Sequence, residues 1–273
     1  MRAKKSLGQN FLTSRTVAAH FLDAAHIEPG DTVVEVGPGM GFLTEFFLKN
    51  AQRVIAVEKD ARMIEYLREK FSKEIISKKL ILIHDDILNF SPITYNLEPR
   101  TYKLAGSIPY YLTGALLKKF LSADIQPQSM TLIVQREVAE RIVARDKKES
   151  ILSISVKAYG TPHYIETIDR QWFSPEPNVD SALLHIDEIS KKNFSEFTDS
   201  DFFALVKEGF KSKRKKISGN LRESMSKEDL VAAGVSPDAR AEDLALEQWK
   251  KLCAFLSGRA DATIRIIGLN REN

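Results

Sequence analysis

From about residue 31 to residue 187 the chain alternates short apolar, mostly β-branched runs with longer amphipathic stretches. The runs are TVVEV (32–36), RVIAV (53–57), LILIH (80–84), KLAGS (103–107), MTLIVQ (130–135), ISVKAY (154–159) and SALLHI (181–186). The first four are the unbroken kind, expected of strands covered on both faces of a parallel sheet. Between them GFLTEFFLKNA and DARMIEYLREKF repeat apolar residues every three or four positions, which predicts the crossover helices. Ahead of the first strand, SRTVAAHFLDAAHI predicts another helix, capped by Thr13 or Ser14 and stopped by Pro29-Gly30. The alternation is that of an α/β fold.

After about residue 188 strand-like runs give way to helical ones: SDFFALVKEGFKSKRKKISGNLRESM, SKEDLVAAG and ALEQWKKLCAFLSG. A boundary is therefore expected there, with residues 1–187 as the α/β domain and 188–273 as a small all-helical domain. Composition changes this picture little, since 43% hydrophobic and 28% charged residues are ordinary for a globular chain of 273 residues. Charge adds more. Between Lys207 and Arg222 seven basic residues face Glu208 alone, so this window holds +6 of a chain whose net charge is +3. The basicity is local, either a solvated helix face or a docking surface for a polyanion. The single cysteine, Cys253, excludes an internal disulfide and a cysteine-based zinc site and fits a reducing compartment. MRAKKSLGQNFLTSR lacks the apolar core of a secretory signal, and no run is long enough to span a membrane, so a cytoplasmic protein is expected.

VVEVGPGMGFLT places Gly37, Gly39 and Gly41 directly after the first strand and before a helix. Glycine there permits a sharp turn and close approach of a ligand to backbone N–H donors. Glu58 ends the second strand, 21 positions beyond Gly37, where a carboxylate can accept from both hydroxyls of a ribose. Such geometry serves any adenosine-containing cofactor. The loop is GxGxG preceded by Glu35, not the GxGxxG of dinucleotide sites, which favours S-adenosylmethionine over NAD. Asp86, in IHDDIL at the end of the third strand, is placed to receive an adenine amino group, with Ile87 beside the ring. The alternatives are a solvated strand-end acid for Glu58 and a helix N-cap for Asp86. Ligands in open α/β sheets bind at this carboxyl edge, and two acids and a loop on successive strand ends favour the site.

The fourth strand ends in Ser107-Ile108-Pro109-Tyr110. An adenine exocyclic amine is a poor nucleophile because its lone pair is delocalised, so its methylation calls for acceptors that favour a tetrahedral nitrogen. A side-chain oxygen at 107 and a carbonyl at 108 can supply them, while Pro109 stiffens the turn and Tyr110 offers a stacking face. A proline turn with core aromatics is the plainer alternative. His20, His26, His84, His163 and His185 have no context suggesting a triad or a metal cluster and are read as structural.

These motifs, with KKSLGQNFL, VIAVEKD, HDDIL, SIPYYLTGALL, VQREVAERI and FSPEPNVDSALL in one order, resemble the KsgA/RsmA-type ribosomal RNA adenine N6,N6-dimethyltransferases over almost the whole chain. FKSKRKKISGNL and DARAEDLALEQW are similar to that family's helical C-terminal domain. The resemblance implies a Rossmann-like class I S-adenosylmethionine-dependent methyltransferase fold, with a seven-stranded, mostly parallel sheet and an antiparallel strand near its edge. It implies that Asn10, Leu12, Gly37, Glu58, Asp86 and Ser107 surround the cofactor, joined by Gly39 and Gly41 of the loop, and that Ser107, Pro109, Tyr110 and Phe173 handle the target adenine. No metal is implied. Lys211, Lys213, Arg214, Lys215 and Lys216 are then expected on RNA phosphates, with Arg2, Lys4 and Lys5 as further contacts. The implied partner is ribosomal RNA in an immature small subunit, met by a monomer away from any membrane. One departure stands out: the family usually carries Asn where this chain has Ser107, which leaves the balance of mono- and dimethylation open. An Erm-type methylase of large-subunit RNA has similar catalytic motifs, and an RNA-binding assembly factor with vestigial methylation is the reading from another class.

Overall fold

The computed structural model describes residue 4 and residues 8–269. It divides into two compact units, Met1–Val143 with Gly160–Ser190, and Ala144–Tyr159 with Lys191–Asn273.

The first unit runs β1 (Phe11–Leu12), α1 (Arg15–Ala25), β2 (Thr32–Val36), α2 (Phe42–Asn50), β3 (Arg53–Glu58), α3 (Ala61–Lys70), α4 (Ser72–Ile76), β4 (Leu80–His84), β5 (Tyr102–Ser107), α5 (Thr113–Ser122), β6 (Ser129–Gln135), α6 (Arg136–Val143), β7 (Thr161–Ile168), β8 (Phe173–Ser174) and β9 (Ser181–Asp187). Seven strands form one sheet in the order β4-β3-β2-β5-β6-β9-β7. β4, β3, β2, β5 and β6 are parallel, and β9 runs antiparallel to both β6 and β7. This is the Rossmann-like class I methyltransferase arrangement. The strand order reverses beside β2, with β3 on one side and β5 on the other, so three strand ends and their loops open onto one edge. The central strands read as continuous apolar runs because both faces are covered: Val33, Val34, Val54, Ile55 and Leu104 are fully buried. α1 and α2 pack Phe21 against Phe47 at 5.8 Å between ring centres.

Several expectations change. ISVKAY is not a strand: Ile151–Lys157 is helix α7, started by a reciprocal capping box in which Ser150 and Ser153 each accept the other's backbone N–H. Ile154, Val156 and Ala158 are β-branched or small but buried, and the cap with tertiary burial decides the conformation against local propensity. The strand that follows β6 is instead β7, whose residues alternate between exposed and half-buried positions, as an edge strand's do. Consequently residues 144–159 fall with the helical unit, not with residues 1–143 as a single boundary near 188 requires. α1 ends at Ala25, where His26 adopts φ 47°, before Pro29-Gly30 is reached.

The second unit contains α7, α8 (Asp199–Gly209), α9 (Ile217–Asn220), α10 (Lys227–Ala232) and α11 (Leu246–Leu269) around its own core. The long helical run expected from residue 200 breaks after Gly209. Trp249 of α11 fills the space beside that glycine and stacks on Phe210 at 5.6 Å. Asn220 Nδ2 donates to the carbonyls of Gly209 (2.6 Å) and Ser212 (3.1 Å), which fastens the turn between α8 and α9. Among the described residues no helix is long and apolar enough to cross a membrane.

Candidate active site

A cleft at the carboxyl edge of the sheet is lined by the loop after β2, the ends of β3, β4 and β5, the segment Gly8–Leu12, Phe173 and Ser181. Ten of the residues singled out from sequence line it: Asn10, Leu12, Gly37, Gly39, Glu58, Asp86, Ser107, Pro109, Tyr110 and Phe173. All belong to the first unit.

The glycine loop uses its three glycines differently, although all have positive φ. Gly37 (φ 65°) turns the chain while its N–H donates to Val57 O at 2.9 Å. Gly39 (φ 56°) presents its N–H to Glu58 Oε2 at 3.1 Å, and a Cβ there would meet the Phe11 ring at 2.9 Å. Gly41 (φ 75°) is the N-cap of α2 and does not line the cleft. A Cβ on it would lie 2.5 Å from Phe71 and 2.8 Å from Leu67, so its glycine lets α2 start against α3.

Glu58 is only 6% exposed, and its carboxylate accepts from Gly39 N–H and from Asp60 N–H (2.8 Å). Burial raises its pKa against those two donors, so the group is a fixed, partly desolvated acceptor and not a solvated strand-end acid. Asp86 is exposed enough to meet solvent. Its Oδ2 binds Lys59 Nζ at 2.8 Å and its Oδ1 accepts from Leu88 N–H at 2.9 Å. Hydrogen bonding to Lys59 holds its pKa low. Asp86 is not the helix N-cap weighed as the alternative, since residues 87–89 form a turn and not a helix; its carboxylate caps that turn and lies on the cleft wall. Glu35, one residue before the end of β2, is 1% exposed and accepts from Thr44 Oγ1 at 2.7 Å.

At the end of β5, Ser107 is half-buried and pairs with Ile133 of β6. Ile108 N–H donates to Ile133 O at 3.2 Å, and Pro109 follows with φ −56°. Among the described residues neither Ser107 Oγ nor Ile108 O has a hydrogen-bond partner, so two adjacent acceptors face the cleft region uncommitted. Tyr110 is oriented by Ser181 of β9, hydroxyl to hydroxyl at 2.9 Å, and burial raises its pKa. Phe173, 5% exposed, pairs with Leu12 across the two-stranded β1–β8 ribbon. Thr13 adds N–H and Oγ1 donors to Trp172 O, each at 2.9 Å. With its amide oxygen and nitrogen exchanged, the orientation its neighbours satisfy, Asn10 donates to Pro175 O at 3.0 Å.

Residues missed from sequence explain why Gly8–Leu12 lies over the loop. Gln9 Nε2 donates to Asp60 Oδ2 at 3.0 Å, and the Lys4 N–H donates to Gln9 Oε1 at 2.8 Å. Asp60, kept strongly acidic by Arg62, also caps α3. These partners are 51 positions apart in Gln9–Asp60, and no local pattern announces them. Arg2 and Lys5 lie outside the described residues. In the second unit Lys211 and Lys213–Lys216 sit exposed on the turn between α8 and α9, but Lys216 Nζ is paired with Asp238 at 2.7 Å.

The buried acceptor of Glu58, the Gly39 turn against Phe11 and the Asp86 carboxylate on the wall suit an adenosine-bearing ligand. Comparison with known proteins agrees in kind. A family model described as ribosomal RNA adenine dimethylase matches residues 1–257. A protein named ribosomal RNA small subunit methyltransferase A from Dehalococcoides mccartyi (strain CBDB1) is 41% identical over 264 residues, 94% of this chain and 90% of the relative. A protein of the same name from Alkaliphilus oremlandii is 32% identical over 93% of this chain and 91% of its own length. Among solved structures, the 23S rRNA methyltransferase ErmE superposes with a TM-score of 0.74 at 26% identity, covering 90% of this chain and 99% of that one. A dimethyladenosine transferase from Plasmodium falciparum superposes at 0.76 with 23% identity, covering 89% and 95%, and supports the fold.

Proposed function

Because the chain belongs to the ribosomal RNA adenine dimethylase family, we propose that it transfers methyl groups from S-adenosylmethionine to N6 of adenines in 16S RNA of the immature small ribosomal subunit. S-adenosylmethionine supplies the electrophilic methyl. Everything else falls to the chain's own groups. Glu58, with its two backbone donors fixing both oxygens, accepts from the ribose, and Asp86 accepts from the adenine amino group beside Ile87. Gly37 and Gly39, whose own N–H groups are held by Val57 O and Glu58, let the donor approach the backbone closely, and Asn10 and Leu12 close that side.

The observation that carries the reading is the pair of uncommitted acceptors, Ser107 Oγ and Ile108 O, beside the buried Glu58–Gly39 cradle. An extruded adenine whose N6–H groups donate to both acceptors has its nitrogen lone pair freed from conjugation. Tyr110, anchored by Ser181, and Phe173, held by the β1–β8 ribbon, are the faces between which such a base stacks. Pro109 fixes the distance between the acceptors and Tyr110. The mechanism is positioning and oriented acceptors, which together supply several kcal/mol of barrier reduction.

The helical unit is assigned RNA and ribosome binding. Lys211, Lys213, Arg214 and Lys215 take phosphates, and Lys216 contributes less because Asp238 already neutralises it. Lys4 is a lesser candidate, since its ammonium lies 3.7 Å from Asp60. A monomer acting in the cytoplasm completes the reading. The large-subunit alternative has the ErmE superposition in its favour, but the small-subunit relatives match at higher identity.

The test is methyl transfer from labelled donor to small subunits and to large subunits that lack N6-methyladenine, read as modified nucleosides by mass spectrometry. Adenine methylation confined to the small subunit is expected, abolished in Tyr110→Ala with donor affinity retained. Transfer only to the large subunit establishes the alternative, and no transfer to adenine in either overturns the proposal.

A further inference from the structure

Tyr110 and Phe173, the two rings assigned to the target base, come from distant parts of the chain, and one acid outside the cleft lining joins their supports. Asp180 precedes Ser181, whose hydroxyl meets that of Tyr110 at 2.9 Å, and follows Val179, whose carbonyl accepts from the same Tyr110 hydroxyl at 3.5 Å. Its Oδ2 accepts from Arg136 Nη1 at 3.1 Å and its backbone carbonyl from Arg136 N–H at 3.0 Å, which ties it to the start of α6 just beyond β6. Its Oδ1 accepts from Arg170 N–H at 3.4 Å, in the turn Arg170–Trp172 that leads into Phe173. Arg170 in turn reaches over the loop between β8 and β9, with Nε 2.9 Å from Glu176 Oε1 and Nη1 donating to Asn178 O at 3.5 Å.

The node calls for a carboxylate. Its two oxygens serve donors from separate elements, whereas an amide of the same shape offers one acceptor and sets its own N–H groups against the other donor. Global stability does not account for the pair: the side chains of Arg136 and Asp180 are 50% and 31% exposed, and ion pairs open to solvent contribute little. Arg136 has a further acid on its own helix, Glu140 at 4.0 Å, so the guanidinium is held from two sides. The charge of Asp180 also bears on the base site, because with burial, the larger cause, it disfavours ionisation of the Tyr110 hydroxyl. One ion pair thus fixes both where Ser181 begins β9 and where Phe173 leaves its turn.

Given the target-adenine assignment made above, we propose that Asp180, clamped by Arg136, is a positioning residue for methyl transfer, setting the spacing of Tyr110 and Phe173 so that an extruded adenine enters between them with N6 at Ser107 and Ile108. It touches neither base nor donor. Its effect falls on the turnover step and not on the capture of RNA or of the donor. Because a misplacement of about 1 Å can lower a rate by up to about a hundredfold, releasing the clamp should lower kcat by roughly tenfold or more.

The test uses the full chain and small ribosomal subunits, with kcat, KM for the subunit and donor affinity measured for Asp180→Asn, Arg136→Gln, their double variant and Arg136→Lys. Both single variants should lose kcat with KM and donor affinity little changed, the double variant should be no worse than the poorer single one, and Arg136→Lys should recover most of the loss. Arg136→Gln carries the test if Asp180→Asn does not fold. Acrylamide quenching supplies a readout apart from activity: of the two tryptophans, Trp249 is fully buried and Trp172, in the clamped turn, is exposed. Trp172 should become more quenchable in the impaired variants and revert in Arg136→Lys. A raised KM and a flatter salt dependence in Arg136→Gln, with kcat kept, would assign that arginine to an RNA phosphate and overturn the proposal. Additive losses, a loss of donor affinity alongside kcat, or lost kcat with unaltered quenching would each overturn it too. Normal methylation by every variant removes this inference alone, whereas no adenine methylation by the unaltered protein removes the proposed function and the inference with it.

Discussion

The hydroxyl of Ser107 stands where the resembling family usually has a carboxamide, and the consequence is a matter of reach. Serine's oxygen sits one bond from Cβ, closer to β5 than an asparagine's carbonyl oxygen would be. The first methylation needs one N6–H held in an acceptor and the second needs the remaining hydrogen held while a methyl group occupies the other position. A shorter acceptor serves the second, more crowded step less well. Ser107→Asn should therefore raise the dimethyl to monomethyl ratio, by roughly fivefold if the recovered hydrogen bond contributes about 1 kcal/mol. Nucleoside mass spectrometry after timed incubation reads the ratio, and an unchanged value refutes the idea. The acceptor pair at 107 and 108 was legible in the sequence because consecutive residues carry it. Tyr110's partner was not, since Ser181 lies 71 positions away and meets it only when β9 closes against β6.

At the scale of elements, the same glycine loop shows what a local pattern hides. GxGxG marks three glycines alike, yet two face the cleft and Gly41 serves the packing of α2 on α3. Gly41→Ala combines a strained φ with a methyl group driven into Phe71 and Leu67, and should cost about 2–4 kcal/mol of stability. Gly39→Ala presses on the Phe11 ring and on the backbone that feeds Glu58, so its main effect should be lost donor affinity. Urea unfolding and donor titration on both variants separate the two, and a Gly41 variant that loses affinity at full stability would contradict the division. The strands of the parallel core were readable because continuous apolar runs are what burial on both faces requires. α7 was misread because its β-branched residues suit a strand and outweighed the local Ser150–Ser153 box, while the packing of Ile154 into one core with residues of α8 and α11 is decided by contacts distant in sequence. β7 escaped because an edge strand needs no apolar run.

For the molecule as a whole, the sequence located the excess positive charge, and the structure shows how it is displayed. Lys213, Arg214 and Lys215 occupy a short exposed turn whose start is fastened by Asn220 of α9 through Gly209 O and Ser212 O. Charge on a turn can follow a curved backbone where charge along a straight helix face cannot. Lys216, adjacent in sequence, is compensated by Asp238 and should release few counterions on binding. Because each phosphate contact contributes about 0.7–0.9 to the slope of log affinity against log salt, replacing Lys213, Arg214 and Lys215 with glutamine should flatten that slope by roughly 2–3. Lys216→Gln alone should change it by well under 1. Both comparisons use the full chain and ribosomal RNA, with donor affinity measured alongside to show that the first unit is intact. Equal slopes for the triple variant and the unaltered protein would move the RNA-binding surface elsewhere. A large change from Lys216→Gln would mean that RNA breaks the Asp238 pair on docking.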